Sequence, residues 1–108
     1  MPRTLIITSK APGNPEQGRV MSLAQAIAES GREVGVLFVG DGVYSLVPGA
    51  LPSGQVAPSR TQVKLFASLP DLEERGMSSR VPQGVQVVDH DQMVDLIMDE
   101  YSNVLSYL

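Results

Sequence analysis

The sequence predicts an α/β protein with a mostly parallel sheet of five strands, covered by helices on both faces. Three observations carry this. Short apolar, β-branched runs alternate with segments of helical periodicity along the chain, which is the pattern of right-handed βαβ crossovers. The first run is apolar at successive positions, as expected of a strand buried on both faces. A chain of 108 residues is one domain's worth, with room for five such strands and no second domain or internal repeat.

The elements follow in order. Thr4 to Ser9, TLIITS, reads as the first strand. Asn14 is placed to cap the next helix, with Pro15 at its first position and Gln17 at the capping-box position. Val20, Leu23, Ala24, Ile27 and Ala28 then share one face, and Gly31 ends the helix in a left-handed turn. Glu33 to Val39, EVGVLFV, is the second strand. GDGVYSLV follows as a turn or two of helix. Residues 48–61, with three prolines, two glycines and two serines, read as a long loop, of the length that often serves as a lid. QVKLFAS, 62–68, is the third strand, and LPDLEERG a short helix ending at Gly76. GVQVVD is the fourth strand. Asp89 and Gln92 open the last helix with a second capping box, and Met93, Val94, Ile97, Met98 and Tyr101 form a stripe expected to pack in the core. NVLSYL is the fifth strand.

Composition excludes several classes. The net charge is −4 with no basic patch, which argues against direct nucleic-acid binding. There is no cysteine, so disulfides, zinc–thiolate sites and thiol chemistry are absent from this chain. No stretch approaches a membrane span or a signal sequence, and the protein is expected to be cytoplasmic. No cofactor motif of phosphate-loop or dinucleotide spacing occurs, and neither a cofactor nor a metal is expected.

In open parallel sheets ligands bind beyond the carboxyl ends of the strands. The polar groups placed there are Lys10 after the first strand, Gly40, Asp41 and Gly42 after the second, and Ser68 after the third. Asp41 suits a helix cap or a ligand-contacting carboxylate, with its glycines admitting a close backbone approach. Lys10 suits an anion, or simply the surface. Ser68, in Ser-x-x-Asp with Pro70 in the first turn, has helix-cap chemistry. A serine nucleophile needs an adjacent base, and this stretch has none. His90, the one histidine, lacks a partner in sequence, so a triad of Ser68, Asp41 and His90 is a minor reading.

Three stretches, VGVLFVGDGVYSLV, VKLFASLPDLEERGM and VVDHDQMVDLIMDEYSNVLSYL, together resemble the DsrE/DsrF/DsrH family, most of all its DsrH (TusB-like) branch. The Asp-Gly-Val turn and the Asp71, Leu72, Arg75, Gly76 pattern carry the likeness by order and spacing. The first half matches more loosely, and residues 48–61 look like an insertion. The resemblance implies a three-layer α/β/α sandwich around a five-stranded parallel sheet. It implies oligomers, either of one chain or with DsrE/DsrF-like subunits, and work in sulfur relays that serve tRNA thiolation or sulfur oxidation. In the family's catalytic branches a sulfur-carrying cysteine stands eight residues before the Gly of Arg-Gly. Here that position is Ser68. A hydroxyl cannot hold a persulfide, so the expectation is a non-catalytic subunit that assembles with cysteine-bearing homologues. The competing expectation is a stand-alone homo-oligomer binding a small ligand at Lys10, Asp41 and Ser68.

Overall fold

A computed structural model describes residues 3–46 and 63–108. Five strands, β1 (Arg3–Thr8), β2 (Glu33–Phe38), β3 (Val63–Ser68), β4 (Val85–Val88) and β5 (Asn103–Tyr107), form one sheet in the order β4-β3-β2-β1-β5. Every neighbouring pair is parallel. The helices are α1 (Pro15–Glu29), α2 (Leu69–Glu74) and α3 (His90–Asp95), with a 3₁₀ segment at Gly40–Leu46 and a π segment at Leu96–Glu100 continuing α3. The long loop expected at 48–61 lies outside the described residues.

The strand order explains the layers. From β1 to β4 each step moves the same way across the sheet, so right-handed crossovers place their connections on one face. That face carries the larger core, where Val20, Met21 and Ala24 of α1, Val43 and Leu46 of the 3₁₀ segment and Leu72 of α2 pack on Ile6, Val36, Phe38 and Leu65. The last connection returns from β4 at one edge to β5 at the other, so it crosses the opposite face. There Leu96 and Tyr101 pack on Leu5, Leu37, Phe66 and Val88. The result is the expected three layers.

Local signals explain most element ends. Asn14 caps α1, accepting from the Glu16 N–H at 2.9 Å. Gly31 takes φ +89° just past its end. Asp89 and Gln92 exchange both capping-box bonds, at 2.8 and 2.9 Å. Gly35 in β2 serves a close crossing. A Cβ there would lie 2.6 Å from Tyr101 Oη and 2.9 Å from Phe66 Cε2. The two rings meet edge to face, with centroids 6.3 Å apart, an arrangement favoured by the ring quadrupoles.

Two expectations about helices are corrected. Gln17 closes no capping box. It is buried, accepting from the Thr8 hydroxyl at 2.9 Å and donating to Ser45 Oγ at 2.6 Å. Thus β1, α1 and the 3₁₀ segment are tied by one buried polar chain. The stripe of the last helix is also only partly core. Tyr101 is buried and Met93 packs beside the core, but Val94, Ile97 and Met98 are exposed, and Leu96 enters instead. Met93 and Leu96, three positions apart, face the core and so turn Val94 and Ile97 outward. The wider π turn, in which the Tyr101 N–H reaches Leu96 O at 3.1 Å, brings in Tyr101 five positions after Leu96.

Candidate functional site at the strand ends

The carboxyl ends of β1, β2 and β3 bring the expected site residues to one end of the sheet but join none of them to another. Lys10 Nζ lies 3.5 Å from Glu16 on α1, a half-buried pair that engages its charge locally. Its backbone N–H donates to Thr8 Oγ1 at 3.1 Å. Lys10 thus serves the turn into α1.

The glycines around Asp41 admit protein. Gly40 has φ +51°. At Gly42 a Cβ would stand 2.5 Å from the Thr8 carbonyl oxygen and 3.3 Å from Ser9 Cα. The same carbonyl accepts from Val39 N–H at 3.0 Å. The space beside Gly42 is therefore occupied by the end of β1.

Asp41 is engaged by Arg75. The Arg75 guanidinium donates to Asp41 Oδ1 at 3.0 Å and to the Asp71 backbone carbonyl at 3.1 Å. It also lies near the carboxylates of Asp71 and Glu74, at 3.7 and 3.8 Å. Its Cζ stands 5.8 Å from the centroid of the Tyr44 ring, within cation–π range. The Asp41 hydrogen bond outweighs partial burial, and with the nearby carboxylates it holds the guanidinium above its ordinary pKa. Asp41 makes no cap bond among the described residues, so the cap reading gives way to a tertiary clasp. Sequence reasoning placed Arg75 only within a motif. Its partner lies 34 positions away, and no local spacing signals that.

Ser68 occupies the N-cap position of α2 by backbone, with ψ 118°, yet its side chain makes no cap bond. The residue is 1% exposed, and its Oγ has no hydrogen-bond partner among the described residues. The cap expectation is overturned on this point. A nucleophile is equally unsupported, because no base reaches the hydroxyl. His90 is exposed at the start of α3 and makes no hydrogen bond among the described residues. In register, Ser68 stands beside Val88 on the α3 side of the sheet. A buried polar group without a partner is uncommon, and this one stands where the resemblance places a sulfur-carrying thiol.

A groove of about 200 Å³ lies elsewhere, between β4 and the last helix, lined by Gln86, Val88, Gln92, Asp95, Leu96 and Glu100. It is shallow and mixed in polarity, and it contains none of the expected site residues. Among the described residues no group of three metal-ligating side chains forms, and no helix is long and apolar enough to cross a membrane.

These features define a small parallel α/β/α protein with an Asp41–Arg75 clasp at the strand ends and, at the end of β3, a buried Ser68 hydroxyl that has no partner among the described residues. The model of the DsrH-like protein family matches residues 16–103, and the chain belongs to that family, within the sulfur-relay-related DsrE/DsrF/DsrH group. It is 29% identical to a protein TusC homolog of Pseudomonas aeruginosa over 94% of this chain and 95% of that one. Its fold is similar to the crystal structure of the ychN protein from E. coli, with TM-score 0.82, 19% identity and coverage of 99% of this chain and 100% of the other. Membership of the group rests on both the family model and the TusC homolog, and the DsrH branch on the model.

Proposed function

We propose that this protein is a non-catalytic subunit of a sulfur-relay complex, acting by assembly with homologous subunits that carry the sulfur-bearing cysteine. One observation carries the reading. A member of this family has Ser68 where the resemblance puts the thiol, and the whole sequence has no cysteine to replace it. The buried, unpartnered Ser68 Oγ supports it, since neither a base nor a solvent path to this atom favours chemistry there. The pathway proposed for the complex is tRNA thiolation or sulfur oxidation, in the cytoplasm.

The stand-alone ligand-binding reading draws less support. Lys10, Asp41 and Ser68 share no contact, and Gly42 packs on the protein's own backbone. The deciding experiment is native mass spectrometry on tagged protein purified gently from its own cells, followed by a sulfane-sulfur transfer assay. Co-purification of cysteine-bearing homologues, with transfer by the complex and none by this chain alone, is the expected result. Transfer by the isolated chain would overturn the proposal. So would a homo-oligomer carrying a small molecule.

A further inference from the structure

The groove between β4 and the last helix has a strand for one wall and a helix for the other. Alternate residues of a strand face opposite sides of the sheet. Val85 and Val87 pack on the larger core, so Gln86 and Val88 turn toward the last helix. On that helix Asp95 and Leu96 line the groove, and Glu100 follows four positions after Leu96. Both walls bound the same space of about 200 Å³. Its apolar residues, Val88 and Leu96, are buried and form the floor. Its carboxylates, Asp95 and Glu100, are exposed and stand at the rim. Neither joins an ion pair among the described residues. Arg3 meets Glu100 only at the backbone carbonyl, at 3.5 Å, and gives its charge to Glu33.

The strand wall is also a sheet edge. Among the described residues β4 pairs with β3 alone. An edge offers a row of unpaired N–H and C=O groups, which natural proteins often blunt with charge or proline. The VQVV of β4 has neither. An extended segment that adds to such an edge gains main-chain hydrogen bonds, and every second side chain lies on the groove side. The volume falls below the roughly 300–1,000 Å³ of a pocket for a free small molecule. It suits side chains delivered by a chain. Lysine and arginine match both parts of the lining. Their aliphatic stems cover Val88 and Leu96, and their charged heads reach the carboxylates.

We propose that this groove docks an extended, basic polypeptide segment of another protein, which adds to the β4 edge as a strand and lays lysine or arginine side chains toward Asp95 and Glu100. The site goes beyond the assembly reading and does not depend on it. Its occupant is a single strand rather than a folded subunit, and its lining includes neither Ser68 nor the Asp41–Arg75 clasp.

The test titrates the full chain with a short, end-blocked peptide in which lysine and threonine alternate, followed by amide shifts in NMR spectra. The peptide should bind, shift the amides of Val85–Val88 and of the last helix, and bind more weakly as salt is added. Asp95→Asn with Glu100→Gln should raise the Kd about fivefold or more, with the thermal midpoint near that of the wild type. Asp91→Asn with Asp99→Asn removes the same charge from the same helix outside the groove lining, and should leave the Kd within about twofold. N-methylation of every second peptide amide should abolish binding in one of its two registers, because it removes the donors that face β4. Equal weakening by the two double variants would show a general attraction to an acidic protein and overturn the site. Undiminished binding of both methylated peptides would overturn strand addition. No binding at millimolar peptide, or shifts confined to β5, would overturn the proposal outright. The assembly reading is decided separately, by co-purification.

Discussion

Ser68→Ala separates two physical accounts by the sign of its effect. As a helix cap, the Ser68 side chain would stabilise the fold, and its removal would cost about 0.5–2 kcal/mol. In the structure the hydroxyl is buried and has no partner among the described residues. Holding a hydroxyl in that condition costs about 1–3 kcal/mol, so its removal should stabilise the fold. The deletion leaves a void of one atom. At about 24 cal/mol per Å³, a cavity of roughly 15 Å³ takes back about 0.4 kcal/mol. The net expectation is a gain of about 0.6–2.6 kcal/mol, with the midpoint higher by roughly 4–8 °C per kcal/mol for a domain near this size. Equilibrium urea unfolding at fixed protein concentration reads it as a higher transition midpoint at unchanged slope. A lower midpoint at unchanged slope would refute the orphan assignment and restore the cap.

Other outcomes follow from the same geometry. Ser68→Cys should give a thiol that reacts with an aromatic disulfide reagent far more slowly in the native protein than in denaturant, because buried apolar thiols are inert; equal rates, followed by absorbance, would show the position is open. Gly42→Ala sets a Cβ 2.5 Å from the Thr8 carbonyl and should destabilise by about 1–3 kcal/mol, measured by urea unfolding. Gly35→Ala should cost a similar amount, and Tyr101→Phe in the same chain should recover part of it by removing the nearest atom, Tyr101 Oη. Burial raises the Tyr101 phenol above its ordinary value, with Arg3 opposing and Glu100 and Glu33 assisting. The native pKa therefore exceeds the unfolded one. The associated stability is intact below about pH 10 and is lost as pH rises through the native pKa, and Tyr101→Phe should flatten that alkaline limb in melting curves.

What was legible in the sequence was local or periodic. Asn14 and the Asp89–Gln92 box act within three residues, and the structure makes those bonds. The inner strands β1, β2 and β3 were legible because a sheet covered on both faces requires apolar residues at successive positions, whereas β4 and β5 lie at the edges and are more exposed. Gln17 and Ser68 also carried local cap signals, yet tertiary structure decided both. Thr8 and Ser45 claim the Gln17 amide, while no described group meets the Ser68 hydroxyl. The apolar stripe of the last helix misled for a different reason. The core side of this helix runs through Met93 and Leu96 and leaves Val94, Ile97 and Met98 outside, and the π segment then adds Tyr101 to the core side. Nothing in the composition of Leu96–Glu100 announces that wider turn.

The two motifs that carried the family resemblance meet in space. Asp41 of Asp-Gly-Val and Arg75 of Arg-Gly join at 3.0 Å, binding the 3₁₀ segment to the end of α2. The clasp has a scaffold explanation that needs no thiol, because it ties the 3₁₀ segment to the end of α2 whatever atom stands at position 68. Asp41→Asn tests this. Asp41 is largely exposed, and Arg75 keeps the Asp71 carbonyl at 3.1 Å, so the pair is a weak, salt-screened contribution to stability. The thermal midpoint should change little. Affinity for homologous subunits should change little too if the clasp only ties the two segments together. Loss of binding with an unchanged midpoint would instead make the strand ends themselves a contact surface. The clasp would then be a recognition element.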